Sequence, residues 1–340
     1  MQEVRKEARE RMKGYCRVCK ECDGRACAGE VPGMGGLGTA ASFKSNVEAL
    51  ADYKLRMRTI HDVSEPDTNT TVLGYDLSIP VFAAPIGGVS FNMGGKISEE
   101  DYIISKLKAC DANGIVGCTG DGVPPFISDS GFEALRAVNG KGIPFIKPWE
   151  GDEFFEKIEK AAETGCTTFG IDIDAIGLIT LAKMGRPVAP RGVERLRALI
   201  ERIPGQVLLK GVMTEEDALA AAEAGAAGIV VSNHGGRVLD HTPGSAHVLP
   251  GIAEAVNGEI AVLVDGGIRT GADILKMIAL GADAVMIGRP FSIATVGGLE
   301  EGASKYIQQI AGELKSAMVL TGCESIEDVN ANIITDVLGQ

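Results

Sequence analysis

Short apolar runs alternate with longer amphipathic windows along most of the chain after residue 78. The runs are rich in Val and Ile and lack the strict polar alternation of a sheet with one wet face, so each predicts a buried parallel strand. Eight such runs occur, at residues 79–85, 114–119, 143–147, 168–174, 206–212, 228–233, 260–266 and 284–289. Helical windows follow most of them, most clearly at residues 99–112, 151–164, 191–202, 214–224, 271–280 and 298–320. Thr214 and Asp217 are spaced as in a capping box and predict where the fourth of these helices begins.

Eight strands that alternate with helices predict a single α/β domain, a (β/α)8 TIM barrel. A doubly wound open sheet is the alternative, but no GxGxxG motif follows the first run. Residues 1–78 lack this alternation of strands and helices. They contain a charged helix, then a Cys- and Gly-rich stretch at 16–38, then a second helix near 45–56. We therefore predict an N-terminal helical, Cys-rich extension at 1–78 that packs on the barrel, and a barrel with its C-terminal helix at 79–340.

Composition and charge narrow the classes of function. The 340 residues are 45% hydrophobic and 23% charged, which is typical of a globular protein, and the net charge is −13. A chain this acidic has no general attraction for nucleic acid or anionic membranes, and no run of 18 apolar residues could span a bilayer. The first residues are charged and lack the apolar stretch of a signal peptide, so we expect a cytoplasmic protein whose cysteines are reduced or bound to metal. We also expect a homo-oligomer.

The loops after the seventh and eighth runs carry a pattern typical of phosphate binding. They read DGGIRTG (265–271) and GRP (288–290). In barrels these two loops often bind a phosphate through backbone amides and a helix N-terminus. Gly266, Gly267 and Gly288 would let the backbone approach the phosphate closely, while Arg269 and Arg289 would supply positive charge.

A histidine and an arginine follow the sixth run in SNHGGRVLD (232–240). His234 can remove a proton near neutral pH, and the guanidinium of Arg237 can bind a carboxylate through two parallel hydrogen bonds. His234 lies among glycines at a strand end, where catalytic groups of barrels are found. The other histidines, at 61, 241 and 247, lack such a context.

Charged residues also stand at the ends of the third, fourth and fifth runs. Lys210 should point into the mouth of the barrel, where its ammonium could stabilise a developing anion. Asp174 could orient His234 and stabilise its protonated form. Asp172 shares the facing of Asp174, and because a buried unpaired carboxylate is costly it needs a partner, for which Lys147 is the candidate.

Together these motifs resemble the family of FMN-dependent 2-hydroxy acid oxidases and dehydrogenases, such as the glycolate and lactate oxidases. The segments that carry the resemblance are LLKGV, VSNHGGRVLD, LVDGGIRTGAD and MIGRP, and it extends to residues 70–85 and 320–329. It implies that Lys210 lies beside the N1–C2 carbonyl of the flavin, that His234 takes the substrate proton and that Arg237 binds the substrate carboxylate. The remaining positions expected at the cofactor are Pro85, Ile86, Gly87, Thr119, Lys147, Asp172, Ser232, Asp265, Gly266, Gly267, Ile268, Arg269, Gly288 and Arg289.

The chain also departs from this family around the substrate. Lys147, Pro148 and Trp149 stand where the family has Gln-x-Tyr, and Asp172 replaces a Thr. The loop that brings a second substrate-binding Arg is short, although Arg186 or Arg191 could substitute. With Trp149 at the substrate and that Arg absent, we expect weak binding of glycolate and better turnover of a larger or more acidic 2-hydroxy acid.

Four cysteines form a separate motif, C-x2-C-x2-C-x4-C, at Cys16, Cys19, Cys22 and Cys27. Two CxxC steps suggest zinc or an iron–sulfur cluster. The alternative is a set of reduced thiols that cover the barrel end or form a redox-sensitive surface. The cysteines at 110, 118, 166 and 323 lie in apolar surroundings and are expected in the core.

These observations predict an FMN-dependent enzyme that oxidises a small 2-hydroxy acid and passes the electrons to an acceptor that the sequence does not identify. Two alternatives stay open. One is an FMN barrel of the isopentenyl diphosphate isomerase type, in which the flavin cycles without net oxidation, although that reaction needs no carboxylate-binding Arg. The other is a flavin-binding barrel without catalytic activity.

Overall fold

A computed structural model describes residues 1–336 and contains a closed barrel of eight parallel strands. The last barrel strand, β11 (Ala284–Ile287), pairs with the first, β4 (Val81–Ala83), through Val285 and Val81 and so closes the barrel. All eight predicted runs are barrel strands, and the predicted fold is confirmed. The barrel strands are β4 (Val81–Ala83), β5 (Val116–Thr119), β6 (Gly142–Ile146), β7 (Thr168–Asp172), β8 (Gln206–Val212), β9 (Gly228–Val231), β10 (Ala261–Val264) and β11 (Ala284–Ile287).

Helices follow the barrel strands as the amphipathic windows predict, and the described residues contain four more, at Val89–Asn92, Pro125–Ala137, Ile179–Lys183 and Ser245–Val256. Two of these have only four and five residues. The helical pattern of the other two is weakened by a glycine and two serines in the first and by Pro250 in the second. The helices are α1 (Gln2–Arg11), α2 (Ala41–Asp52), α3 (Val89–Asn92), α4 (Glu99–Ala112), α5 (Pro125–Ala137), α6 (Glu153–Ala162), α7 (Ile179–Lys183), α8 (Val193–Ile200), α9 (Glu215–Glu223), α10 (Ser245–Val256), α11 (Gly271–Ala279) and α12 (Arg289–Thr321).

Three helix boundaries show what local pattern does and does not determine. The Thr214 hydroxyl accepts a hydrogen bond from the Asp217 amide at 3.1 Å, so the predicted start of α9 is confirmed. Helix α2 ends four residues earlier than predicted, because the chain turns into strand β1 (Tyr53–Leu55), which pairs with β12 (Ile334–Asp336). Helix α12 begins at Arg289, and its backbone leaves helical geometry at Gly298 and Leu299, near the predicted start.

A hairpin of β2 (Thr70–Val72) and β3 (Tyr75–Leu77) closes the N-terminal end of the barrel. Val72 and Leu77 pack with the side chains that fill the barrel interior, among them Phe82. The Tyr75 hydroxyl donates to the Gly142 carbonyl at the start of β6. Because these side chains close the N-terminal end, the described residues leave the carboxyl end of the strands as the entrance for a small molecule.

Residues before the barrel contact it at several places, which supports the proposal that 1–78 is an extension packed on 79–340. Helix α1 lies so close to α12 that a Cβ on Gly297 would be 2.0 Å from the Val4 carbonyl oxygen. Pro32 and Met34 reach the carboxyl end of the barrel. Among the described residues, no helix combines the length and the apolar character needed to cross a membrane.

Candidate active site

A cavity of about 290 Å³ opens at the carboxyl end of the barrel strands. This is close to the lower end of the range of about 300–1,000 Å³ for small-molecule sites. Most residues that the sequence assigned to the site line it, namely Pro85, Ile86, Gly87, Lys147, Asp172, Lys210, His234, Arg237, Asp265, Gly266, Gly267, Ile268, Arg269, Gly288 and Arg289. The barrel therefore brings together in space residues that are about 200 positions apart in the chain.

The glycines after β10 are required by the backbone. Gly266 and Gly267 have φ of +104° and +81°, which other residues rarely adopt. A Cβ on Gly267 would also lie 2.3 Å from the Asn46 carbonyl oxygen of α2. Helix α12 begins nearby, directly after Gly288. The expected phosphate site thus consists of a tight backbone loop and a helix N-terminus on one wall of the cavity.

Three arginines line this wall without a carboxylate partner among the described residues. Arg237 donates to the carbonyls of Gly33 and Gly35 and to Asn92 Oδ1. Arg289 donates to the carbonyls of Met34, Gly35 and Gly235. Arg269 donates to the carbonyls of Ile268 and Cys22, while its Nε is buried without a partner.

These contacts leave the positive charge of the three arginines unbalanced. Burial and mutual repulsion lower the pKa of Arg237, and burial lowers that of Arg289, which means that the protein environment disfavours both charges. An anion in the cavity would relieve this cost through charge-assisted hydrogen bonds. The arrangement therefore fits a phosphate and a carboxylate, as the sequence predicts.

His234 lines the same cavity and lies in a network of acidic and basic side chains. Its Nδ1 is 3.0 Å from Asp174 Oδ1 and 3.4 Å from Lys210 Nζ. Lys210 Nζ is 3.4 Å from Asp172 Oδ1 and 3.8 Å from Asp265 Oδ2. The predicted contact between Asp174 and His234 is present. Because Nδ1 is occupied by this carboxylate, Nε2 is the ring nitrogen left to exchange a proton in the cavity.

The backbone at His234 is held in an unusual conformation. Its φ is +58°, which is uncommon for a residue with a side chain. The hydroxyl of Ser232 accepts from the His234 amide at 3.0 Å and donates to Asp265 Oδ1 at 2.7 Å. Strained conformations of this kind cluster at functional sites, so the backbone strain is an independent observation that supports a role for His234.

The two aspartates beside His234 have different environments. Burial raises the pKa of Asp174, and its Oδ2 has no hydrogen-bond partner among the described residues. Burial alone would also raise the pKa of Asp172, but the charges of Lys210, His234 and Lys147 outweigh it and hold that pKa well below its usual range. The surroundings thus favour the charged form of Asp172, whereas burial disfavours the charge of Asp174.

Lys147 and Trp149 are held by a buried carboxylate that the sequence analysis did not single out. Lys147 Nζ lies 3.9 Å from Asp172 Oδ2, the partner predicted for it, and also donates to the Asp121 carbonyl. The indole of Trp149 donates to Asp121 Oδ2 at 2.6 Å and does not line the cavity. The tight turn at Lys147–Trp149 directs the ring toward Asp121, and a contact of Trp149 with the substrate stays a prediction.

Other assigned residues stand behind the wall of the cavity. Thr119 and Ser232 are buried and do not line it, and Asp174 contacts it only through His234. Arg186 pairs with Glu153, and Arg191 pairs with Glu150, and neither side chain lines the cavity. A role of either as the family's second substrate-binding arginine stays a prediction.

The sequence analysis missed two groups of residues. Asp121 follows β5, and Glu99 binds the amides of Gly88 and Val89 and so shapes the loop after β4. An acidic residue just after a strand end would have been a usable signal for Asp121. The second group comes from the segment after β7 and lines the cavity with apolar side chains and one lysine: Leu178, Thr180, Leu181, Lys183 and Met184.

Comparisons with known proteins agree with this architecture. The sequence profile described as FMN-dependent dehydrogenase matches residues 33–183 and 182–336. The peroxisomal (S)-2-hydroxyacid oxidase GLO3 of Arabidopsis thaliana is 30% identical, over 88% of this chain and 89% of that protein. An L-lactate dehydrogenase of Acinetobacter baumannii is also 30% identical, over 90% of this chain and 93% of its own length.

Solved structures of mandelate oxidase have the same fold. One with bound 2-hydroxy-phenylacetamide superposes with a TM-score of 0.80 at 28% identity, over 100% of this chain and 98% of the other. A second, a variant that carries a C4a-hydroxy-FMN adduct, gives a TM-score of 0.78 at the same identity, with 98% of each chain covered. The fold and the match to an FMN-dependent family thus extend over nearly the whole chain.

Proposed function

Since this chain belongs to the FMN-dependent dehydrogenase family, we propose that it oxidises a small 2-hydroxy carboxylate to the 2-oxo acid, with His234 as the base and Arg237 as the carboxylate-binding residue. The protein is an FMN-dependent oxidoreductase related to 2-hydroxy acid oxidases and lactate dehydrogenases. One observation carries the proposal for its own substrate. A single cavity combines three arginines, for which residues 1–336 provide no carboxylate partner, with a histidine whose Nδ1 is held by Asp174.

The residues around the cavity fit FMN. Arg269, Arg289 and the amides of the loop after β10 would hold the phosphate, and the left-handed glycines keep that loop clear of side chains. Lys210 would balance negative charge on the ring, because Asp172 and its other acidic neighbours keep it protonated: although burial alone would lower its pKa, these carboxylates raise it. When bound, FMN supplies the acceptor for two electrons from the substrate.

Arg237 and His234 would act on the substrate itself. Arg237 lies on the same wall of the cavity as the phosphate site and would bind the carboxylate through its guanidinium. His234 would take the hydroxyl proton at Nε2, since Nδ1 is engaged by Asp174. The proton gives the ring a positive charge that Asp174, 3.0 Å away, stabilises as its carboxylate.

Anaerobic mixing of the FMN-loaded protein with 2-hydroxy acids tests the proposal. We expect loss of the yellow flavin absorbance and formation of one 2-oxo acid for each flavin reduced. A protein that binds FMN but is not bleached by any acid of the panel would contradict oxidation. That result would favour an isomerase or a non-catalytic flavin protein instead.

The panel also tests the size and charge of the substrate. Without a second arginine near the substrate, glycolate would lose a charged hydrogen bond of about 1.5–3 kcal/mol, so we expect a high KM for it. A larger side chain could pack against Leu178, Leu181 and Met184, and a second acidic group could meet Lys183. In a series of glycolate, lactate, malate, 2-hydroxyglutarate and mandelate, we expect glycolate to have the lowest kcat/KM. Efficient oxidation of glycolate alone would contradict this.

Asp174→Asn should slow flavin reduction without loss of FMN. The neutral amide stabilises the protonated ring less, and the loss of a hydrogen bond to a charged group, about 1.5–3 kcal/mol, predicts a roughly 10- to 150-fold slower reduction. Stopped-flow reduction with the best acid of the panel measures the rate, and the flavin absorbance of the desalted variant measures its FMN content.

A second Asp–His pair provides the matched control. Asp52 Oδ2 lies 2.8 Å from His247 Nε2 at the surface, away from the cavity. Asp52→Asn should leave the reduction rate unchanged. An Asp174→Asn enzyme that reduces its flavin at the wild-type rate would contradict the role proposed for Asp174.

A further inference from the structure

The four cysteines of the N-terminal motif lie around one small cavity next to the active site. Cys16, Cys19, Cys22 and Cys27 all line it, and all four are free and half-buried. Met34 and Arg289 line both this cavity and the larger one. A single layer of side chains therefore separates the cysteines from the proposed FMN site.

The arrangement of the sulfur atoms does not fit a single metal ion. Four thiolates around one zinc at about 2.3 Å would lie roughly 3.8 Å from one another. Within residues 1–336, Asp172, Asp174 and His234 are the group whose ligand atoms all lie within 4.8 Å of one another. No three cysteine sulfurs in this range lie that close together. The four sulfurs are thus farther apart than the ligands of one zinc, and a cluster with several iron atoms is the metal group that four separated thiolates can bind.

The surroundings of the sulfurs also fit cluster ligands. The Val18 amide donates to Cys16 Sγ at 3.4 Å, and Arg269 donates to Cys22 Sγ at 3.6 Å. Hydrogen bonds to sulfur are one of the means by which proteins tune iron–sulfur clusters. Arg5 and Arg9 fix the loop by donating to backbone carbonyls within it. The first three cysteines have the C-x2-C-x2-C spacing of bacterial ferredoxins, but the fourth follows after four residues and not three, so the whole motif matches neither common ferredoxin pattern.

We propose that Cys16, Cys19, Cys22 and Cys27 bind a [4Fe–4S] cluster that carries electrons from the reduced flavin to an external one-electron carrier. The four-thiolate ligand set and its separation from the FMN site by Met34 and Arg289 carry the proposal. Binding of the cluster is independent of the proposed substrate. Only the relay of electrons rests on the proposed function.

Oxidation of the substrate and reduction of the carrier transfer the same number of electrons. Oxidation of one 2-hydroxy acid to the 2-oxo acid releases two electrons and two protons. Both electrons leave the flavin one at a time through the cluster, which cycles between two oxidation states. Two molecules of the one-electron carrier are each reduced by one electron, and both protons pass to solvent.

Metal analysis tests the binding of the cluster. The full-length protein, incubated anaerobically with ferrous iron and sulfide and then desalted, should retain about four iron and four sulfide per chain and give an EPR signal after reduction with dithionite. Cys19→Ser, or Cys16→Ser if that variant does not fold, should lose the iron and the signal. Cys323→Ser, whose thiol is buried elsewhere, is the matched control and should keep both. Stoichiometric binding of zinc without retention of iron and sulfide, or no metal at all, would overturn the proposal.

Reoxidation of the flavin tests the relay without any substrate. The flavin is reduced by light in the presence of EDTA and then mixed anaerobically with cytochrome c as the one-electron acceptor. The cluster-loaded wild type should reoxidise at least about tenfold faster than Cys19→Ser at equal FMN content. Equal rates would overturn the relay, and because no 2-hydroxy acid is present, this result is distinguishable from failure of the proposed function.

Discussion

Replacement of His234 by alanine is expected to slow flavin reduction by about 10²–10⁴-fold, the usual contribution of a positioned general base. The variant should still bind FMN, since the arginines and the glycine loop of the proposed phosphate site remain. Stopped-flow absorbance under anaerobic conditions, with the best acid of the panel, measures the rate. Added imidazole should restore part of it, because the truncation leaves space beside Asp174 for a small base.

His247→Ala is the matched control for this experiment. His247 is exposed and its ring is also bound to a carboxylate, that of Asp52, but it lies outside the cavity. The control should reduce its flavin at the wild-type rate. An unchanged rate in His234→Ala would show that another group takes the substrate proton and would reject the mechanism.

Replacement of Arg289 by alanine should weaken the binding of FMN by roughly 10- to 150-fold, because a charge-assisted contact with the phosphate of about 1.5–3 kcal/mol is lost. Arg289 has no carboxylate partner among the described residues, so its charge is available to the ligand. Quenching of flavin fluorescence on titration of the apoprotein measures the Kd.

Riboflavin separates the role of Arg289 at the phosphate from a general disturbance of the site. Riboflavin has no phosphate, so its Kd should be nearly the same in the wild type and in Arg289→Ala. A similar loss for both ligands would indicate that the variant mainly releases Met34 and Gly35, whose carbonyls Arg289 holds. An unchanged Kd for FMN would contradict the assignment of the phosphate site.

Side-chain positions at strand ends were predictable to different degrees. Residues within or directly after a barrel strand, such as Lys210 and Asp172, could be placed because the pleat of the strand sets their direction. Trp149 lies beyond the end of β6, where the turn and a buried partner decide the direction. Asp121 supplies that partner from a different loop, and no feature near Trp149 indicates it.

The sequence by itself determined the barrel, its eight strands and the polar and glycine residues at their ends, because burial on both faces of a strand and glycine-rich loops are local patterns. Only the tertiary structure decided which charges meet. Cys22 and Arg269 are 247 positions apart, and Arg289 and Gly35 are 254 apart, yet each pair is in hydrogen-bond contact. Such contacts depend on how the N-terminal extension packs over the barrel mouth, which is a balance of burial over the whole surface and leaves no periodic pattern in the chain.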